Sequence, residues 1–254
     1  MTTPPENKAV LLVTGGSRGI GAATALLAAR QGYAVAINYN SKLQAAEDVA
    51  GQIRAAGGTA ITVAGDVSVE ADVLSMFARI DTELGRLTAL VNNAGVVDVA
   101  ARVDQMGLQR MRRMFDINVL GAFLCAREAI RRMGVRHGGA GGAIVNVSSA
   151  AARLGGPNQY VDYAASKGAI DTMTVGLARE VASDGIRVNA VRPGIIETEI
   201  HASGGQPDRA REMAPLVPMQ RSGSAGEVAA AIVWLLSSEA SYTTGAIIDV
   251  AGGR

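Results

Sequence analysis

The amino-acid sequence predicts an α/β fold in which one domain, residues 1–254, is a doubly wound, parallel, seven-stranded sheet with helices on both faces. Three observations predict it. Short apolar runs of the kind that make fully buried strands alternate with longer segments of helical spacing, and no break in composition or internal repeat interrupts them. The 254 residues are 48% hydrophobic but only 4% aromatic. The apolar content is therefore mostly Ala, Val, Ile and Leu, which suit strands buried on both faces. The first apolar run ends in a glycine-rich turn that opens a helix, as a βαβ unit begins.

Val10 to Val13 is the first strand, and Thr14-Gly15-Gly16-Ser17-Arg18-Gly19-Ile20-Gly21 follows it, leading into a helix from Ala22 to Arg30. Glycines there permit a tight turn and let backbone N–H groups approach a pyrophosphate resting on the helix N-terminus. Gly21 is followed by Ala22 and Ala23, so the Lys-Ser/Thr of a Walker-type loop is missing. Ala34 to Tyr39 reads as the second strand, and Ser41 to Gln44 as a capping box for the next helix. An acid at this strand end would hold a ribose 2′-hydroxyl and repel a 2′-phosphate. Here Tyr39, Asn40, Ser41 and Lys42 stand instead, with Arg18 in the glycine turn, which favours NADP(H) and leaves NAD(H) possible.

A third strand, Thr59 to Ala64, leads to Asp66 and Val67, and a helix runs from about Val69 to Leu84. Leu90-Val91 opens into Asn92-Asn93-Ala94-Gly95, a small polar turn at a strand's carboxyl end, where open α/β sheets place ligands. One long helix is predicted from Leu108 to Arg132; its Asn118 lies among apolar residues and needs hydrogen-bond partners. Gly138 to Gly142 reads as a flexible link. The fifth strand, Ala143 to Val147, delivers Ser148 and Ser149, and the sixth, Arg187 to Val191, leads to the turn Arg192-Pro193-Gly194. The Gly/Pro-containing segment from Ile195 to Pro218 suits a substrate lid. Ser224 to Glu227 forms a second capping box before the helix Val228 to Leu236, and Ile247 to Val250 is the last strand.

Between the fifth and sixth strands lies Tyr163-Ala164-Ala165-Ser166-Lys167, which puts a phenol and an ammonium at i and i+4 on one helix face. A positive charge nearby favours the phenolate, so the pair is expected to bring the tyrosine pKa down from its ordinary value of about 10. Taken alone, such a pair also fits a solvated helix surface.

Charge and composition exclude several classes. With 24 basic and 23 acidic residues the net charge is +1, too little to attract nucleic acid or an anionic membrane. A single cysteine, Cys125, precludes an internal disulfide, and no apolar run approaches a membrane span, so a cytoplasmic location is expected. No His/Asp/Glu cluster has metal-ligand spacing, so no metal is expected. A serine hydrolase is disfavoured: there is no Gly-x-Ser-x-Gly elbow, and the two histidines, His137 and His201, fall in the glycine link and the lid.

The ordered set Thr14-Gly15-xxx-Gly19-x-Gly21, Asn92-Asn93-Ala94-Gly95, Asn118, Ser149, Tyr163-xxx-Lys167 and Pro193-Gly194 resembles the short-chain dehydrogenase/reductase family over nearly the whole chain, from about residue 8 to Gly253. The resemblance implies a Rossmann-like domain holding a nicotinamide dinucleotide, and a tetrad of Asn118, Ser149, Tyr163 and Lys167. Tyr163 would exchange a proton with a carbonyl or alcohol oxygen, which Ser149 would orient; Lys167 would bind the nicotinamide ribose and depress the Tyr163 pKa; Asn118 would hold a relay water. Gly15, Ser17, Arg18, Gly19, Ile20 and Gly21 would cradle the phosphates, and Asn92, Ala94 and Gly95 would line the cleft. Asp66 and Val67 would meet the adenine, and Pro193, Gly194, Ile196 and Thr198 would lie along the nicotinamide end. Ser149 stands fourteen residues before Tyr163, one more than the family's pattern, so Ser148 competes for its role; Ser149 is chosen as the end of the strand run. Tyr160 lacks a lysine at i+4 and reads as a packing or pocket residue. Members resembling this chain act on 3-oxoacyl thioesters or on sugars and other secondary alcohols, and usually form homodimers or homotetramers. Arg136 and Arg179 would offer a patch for an acidic acyl carrier protein. The alternatives are an NAD-dependent alcohol or sugar dehydrogenase and a catalytically silent dinucleotide-binding regulator.

Overall fold

In the computed structural model, which describes residues 8–200 and 204–254, seven parallel strands form one sheet in the order β3-β2-β1-β4-β5-β6-β7. They are β1 (Val10–Val13), β2 (Ala34–Tyr39), β3 (Ala60–Ala64), β4 (Ala89–Asn92), β5 (Gly142–Val147), β6 (Ile186–Pro193) and β7 (Ile247–Val250). Alternation along β1 decides the layering. Val10 and Leu12 pack into one apolar cluster, Leu11 and Val13 into the other. The first cluster is roofed by α3 (Glu70–Glu83), α5 (Gly121–Met133) and α7 (Val161–Val181), through Phe77, Cys125 and Ile170 among others. The second is roofed by α1 (Gly19–Arg30), α2 (Leu43–Ala55) and the helix Ala225–Leu236, through Ala25, Ile53 and Ile232. Strand order reverses between β1 and β4, and there the carboxyl ends of the strands leave a cleft.

Several expectations change. The single helix expected from Leu108 to Arg132 is α4 (Leu108–Phe115), a π-helical turn (Asp116–Leu120) and α5. The π turn contains Asn118 and inserts where that side chain bonds sideways to Val96 and Ser166. The Ser41 capping box does not form: Lys42 occupies the N-cap of α2, no side chain caps it, and Gln44 donates to Asp48 one turn on. The Ser224 box does form in both directions. The glycine link is packed and not slack. The Gly141 N–H donates to the Met133 carbonyl at 2.8 Å, and a Cβ on Gly139 would stand 2.1 Å from that same oxygen. β6 runs on through Pro193, which pairs in register with Val250. Two short helices complete the frame, α6 (Ala151–Leu154) and α8 (Arg209–Met213), and Ala225–Leu236 is α9.

Candidate active site

The glycine turn folds as it does because three neighbours tie it down. Gly15 and Gly19 take left-handed φ values of +58° and +53°, and a Cβ on Gly21 would lie 2.5 Å from the Gly15 carbonyl. Only glycine fits that contact. The Gly15 N–H donates to Asn38 Oδ1 (3.1 Å), while Asn93 Nδ2 donates to the carbonyls of Thr14 and Gly15 (2.9 and 3.0 Å). Thr14 Oγ1 accepts from the Asn93 and Ala94 N–H groups, so β1, β2 and β4 are stitched together at their carboxyl ends.

This turn forms one wall of a cleft of about 770 Å³, lined by Ser17, Arg18, Gly19 and Ile20 on the turn, and by Tyr39, Asn40, Ser41 and Lys42 at the end of β2. Asp66, Val67, Ala94 and Gly95 continue the wall, and Pro193, Gly194, Ile196 and Thr198 face it. Asp66 is pinned: Oδ2 accepts from Asn40 Nδ2, and Oδ1 from the N–H and hydroxyl of Ser68. No acidic residue stands among Tyr39 to Lys42 at the end of β2, although Asn40 there reaches the Asp66 carboxylate. The volume, the bare turn and the two cations Arg18 and Lys42 fit an extended phosphate-bearing dinucleotide.

Ser149, Tyr163 and Lys167 line the same cleft. Tyr163 lies in the first turn of α7, where its N–H donates to Asp162 Oδ1; Asp162 is held in turn by a nearly buried ion pair with Arg110 (2.7 Å). Ser149 accepts the Ala151 N–H, and, against the larger effect of burial, its hydroxyl pulls the Tyr163 pKa down. Ser148 instead is buried, its hydroxyl donating to the Lys167 carbonyl at 3.2 Å. Both serines line the cleft, Ser148 with its hydroxyl engaged by α7 and Ser149 beyond the strand end.

The pKa directions differ from the pairing argument. Burial raises the Tyr163 pKa, and the Ser149 hydrogen bond lowers it by less. Lys167 Nζ stands 5.7 Å from the Tyr163 ring centroid and donates to the Val147 carbonyl at 2.7 Å. Burial pushes its own pKa down to about 8, against an upward pull from Asp171. Helical spacing brings the two side chains together, but desolvation by burial sets the direction of both shifts.

Asn118 is buried behind the wall. Its Oδ1 accepts the Val96 N–H (2.8 Å) and its Nδ2 donates to the Val96 carbonyl and Ser166 Oγ. A Cβ on Gly95 would meet Asn118 Oδ1 at 3.3 Å and Lys167 Nζ at 3.5 Å. Asn118 thus braces the floor on which Lys167 lies. Asn92, expected to line the cleft, does not: as the last residue of β4 it points into the helix layer, donating to Asn146 Oδ1 and the Ala122 carbonyl. Asn93, one residue on, takes the wall. Sequence reading also passed over Asn38, whose polarity within an apolar strand was the available signal, and Arg209, Gln159 and Gln206, for which there was none. His201 lies outside the described residues.

Comparison with known proteins defines the class as an oxidoreductase. The family model described as enoyl-(acyl carrier protein) reductase matches residues 15–254. YgfF, an uncharacterized oxidoreductase of Escherichia coli, is 58% identical across 97% of this chain and 100% of its own length. Cis-4-hydroxycyclohexanecarboxylate dehydrogenase of Sinomonas cyclohexanicum is 40% identical across 96% of this chain and 95% of its own. The crystal structure of a short-chain type dehydrogenase/reductase from Mycobacterium marinum superposes with a TM-score of 0.90 at 36% identity, covering 96% of this chain and 94% of that one. The chain belongs to the short-chain dehydrogenase/reductase family, and a nicotinamide dinucleotide is the cofactor that membership implies.

Proposed function

We propose that the protein transfers hydride between NADP(H) and a small carbonyl/secondary-alcohol pair, with Tyr163 as general acid/base. The observation that carries this is the convergence of Ser149, Tyr163 and Lys167 on one cleft, with Lys167 Nζ 5.7 Å from the Tyr163 ring centroid. The nicotinamide supplies or accepts the hydride. Tyr163 gives a proton to the carbonyl oxygen in reduction and takes it from the alcohol in oxidation. Its raised pKa keeps the phenol protonated at neutral pH, which supports the donor role. Ser149 orients the oxygen, Lys167 holds the nicotinamide ribose, and Asn118 positions Lys167 through the shared floor beneath Gly95.

The glycine turn, Asp66, Val67, Ala94, Gly95 and the Pro193–Thr198 stretch hold the dinucleotide. Arg18 and Lys42, with no acid among Tyr39 to Lys42, favour a 2′-phosphate. The lid at about 195–218 closes over the substrate; a bridge between Ile196 and Gly223 fixes its base. The alcohol named for the Sinomonas relative is of the class proposed. Exposed Leu108, Phe115, Leu120 and Phe123 along α4, the π turn and α5 suit a homodimer or homotetramer. We place the protein in the cytoplasm on its single buried cysteine; no helix among the described residues is long and apolar enough to cross a membrane.

The test is NADPH oxidation with a panel of ketones, repeated with Tyr163→Phe. The variant should lose about 100-fold or more in kcat and keep the thermal shift caused by NADPH. Equal activity of the two proteins would remove Tyr163 from the chemistry. A larger stabilisation by NAD than by NADP would overturn the cofactor preference, and NADP binding without turnover of any ketone would favour the silent regulator.

A further inference from the structure

We propose that the cleft contains an anion subsite built on Arg209 that takes a carboxylate of the substrate. The inference rests on the carbonyl/alcohol reading of the same cleft and adds to it the class of substrate.

Arg209 begins the short helix α8 in the lid and lines the cleft. Its guanidinium lies over the Tyr160 ring, 5.2 Å from the centroid. Two neutral carboxamides fix its plane: Nη1 donates to Gln206 Oε1 at 2.5 Å and Nη2 to Gln159 Oε1 at 2.8 Å. The Tyr160 hydroxyl donates to the same Gln206 oxygen at 3.1 Å, closing the arrangement. Tyr160 immediately precedes α7, so the guanidinium is tied to the segment that presents Tyr163 and not to the phosphate turn.

What distinguishes this arginine is its neutral side-chain partners. Among the described residues Arg254, also partly buried at the cleft, enters no ion pair either, but no side-chain hydrogen bond fixes its guanidinium. Arg110, Arg132 and Arg192, also partly buried, each meet a carboxylate, from Asp162, Glu128 with Asp81, and Asp171 respectively. Arg187 instead donates to the backbone carbonyls of Leu235, Leu236 and Ser237 at the end of α9, the ordinary neutralisation of a helix C-terminus. Among the described residues Arg209 enters no ion pair, and its bonded partners carry no charge. A cation held in one plane by neutral acceptors, stacked on an aromatic face at the wall of a cleft, keeps its charge and its remaining N–H donors for an incoming anion. The planar fork matches a carboxylate, and the site's partial burial strengthens the pairing relative to water.

The competing account is that Arg209 only braces the lid against the loop before α7. The two accounts separate in a panel of keto acids, each paired with its methyl ester, assayed with NADPH in wild type and in Arg209→Gln. The subsite predicts that wild type prefers the acid by about 10- to 100-fold in kcat/KM. The preference should disappear in Arg209→Gln while the ester rate and the NADPH thermal shift change little. Arg209→Lys, which keeps the charge without the fork, should retain a minor part of the preference. Esters used as well as acids by wild type, turnover of neutral ketones alone, or an acid preference unchanged in Arg209→Gln would each overturn the subsite. Equal loss on acids and esters in Arg209→Gln would assign the residue to bracing. Should no carbonyl compound turn over, the hydride-transfer reading fails by itself. The subsite is then decided by the thermal shift that cyclohexanecarboxylate adds to the NADPH complex: a shift present in wild type and lost in Arg209→Gln supports it, and none in wild type overturns it.

Discussion

Replacing Lys167 by methionine is expected to stabilise the protein at neutral pH while ending the chemistry proposed for the cleft. The lysine is 4% exposed, and burial lowers its pKa from 10.5 to about 8. Below pH 8 both the native and the unfolded chain carry the proton, so the buried charge opposes folding in full. Each pKa unit corresponds to about 1.4 kcal/mol, so the cost is about 3 kcal/mol. Methionine keeps an unbranched stem and removes the charge, but gives up the 2.7 Å hydrogen bond to the Val147 carbonyl, worth about 1.5 kcal/mol. The net gain of about 1–2 kcal/mol should raise Tm by about 2–8 °C at pH 7. Between pH 8 and 10.5 the native lysine has lost its proton while the unfolded one keeps it, so wild type gains stability with rising pH and the advantage of methionine shrinks. Thermal unfolding of both proteins, followed by circular dichroism at pH 7 and pH 10, checks this, because the difference between them cancels the other titrating groups. A Lys167→Met protein less stable at pH 7, or an advantage equal at both pH values, refutes the reasoning.

Three further outcomes follow from the same geometry. In urea denaturation, Ser224→Ala should cost about 1 kcal/mol, because a cap is lost, whereas Ser41→Ala should leave the midpoint nearly unchanged, because no cap forms there. Asn118→Leu strands the N–H and carbonyl of Val96. At about 1–3 kcal/mol for each buried group left unpaired, Tm should fall by several degrees even before activity is measured. Gly21→Ala should destabilise the chain and abolish the NADPH thermal shift, since the new Cβ meets Gly15 O at 2.5 Å. Gly51→Ala, in mid-helix with nothing within 4 Å of its Cβ, should instead stabilise by about 0.5–1 kcal/mol.

What the sequence disclosed depended on how local the cause was. The strands were legible because burial on both faces imposes an apolar run, and the glycine turn because a positive φ and a contact of 2.5 Å select glycine by themselves. Tyr163 and Lys167 were legible as neighbours because helical spacing is a local fact. Their pKa directions were not, since desolvation depends on cleft walls contributed by segments far apart in the chain. Asn92 and Asn93 show the limit at single-residue scale: one more residue of strand sends the first asparagine into the helix layer and leaves the second in the cleft. The π turn at Asn118 was hidden for a related reason. It depends on partners 22 and 48 residues away, and its apolar spacing still reads as one continuous helix. The bracing of Arg209 spans three side chains from two loops.

The buried asparagines form a class of their own, and their arrangement bears on why the cleft lies where it does. Asn38 at the end of β2, Asn92 at the end of β4 and Asn146 near the end of β5 are each at most 6% exposed. Unpaired, such groups would each oppose folding by a few kcal/mol. Here Asn38 bonds to the Gly15 N–H and the Gly65 carbonyl, while Asn92 donates to Asn146, which donates to Thr174 on α7. Each amide crosses from one strand end to a neighbouring strand, turn or helix. A hydrophobic side chain in any of these places would fill the space without fixing the register of the loops beyond it. The amides carry directionality, so the glycine turn, the Asn93 turn and α7 are located relative to one another before any ligand arrives. That rigidity is what a proton donor needs, because a misplacement of about 1 Å can cost about 100-fold in rate. Asn146→Leu therefore tests whether the network acts on catalysis as well as on folding. Stability should change little, because the lost hydrogen bonds are offset by apolar burial, while kcat falls and cofactor affinity, measured by thermal shift, stays near that of wild type. An unchanged kcat in a folded Asn146→Leu protein would show that the network serves stability alone.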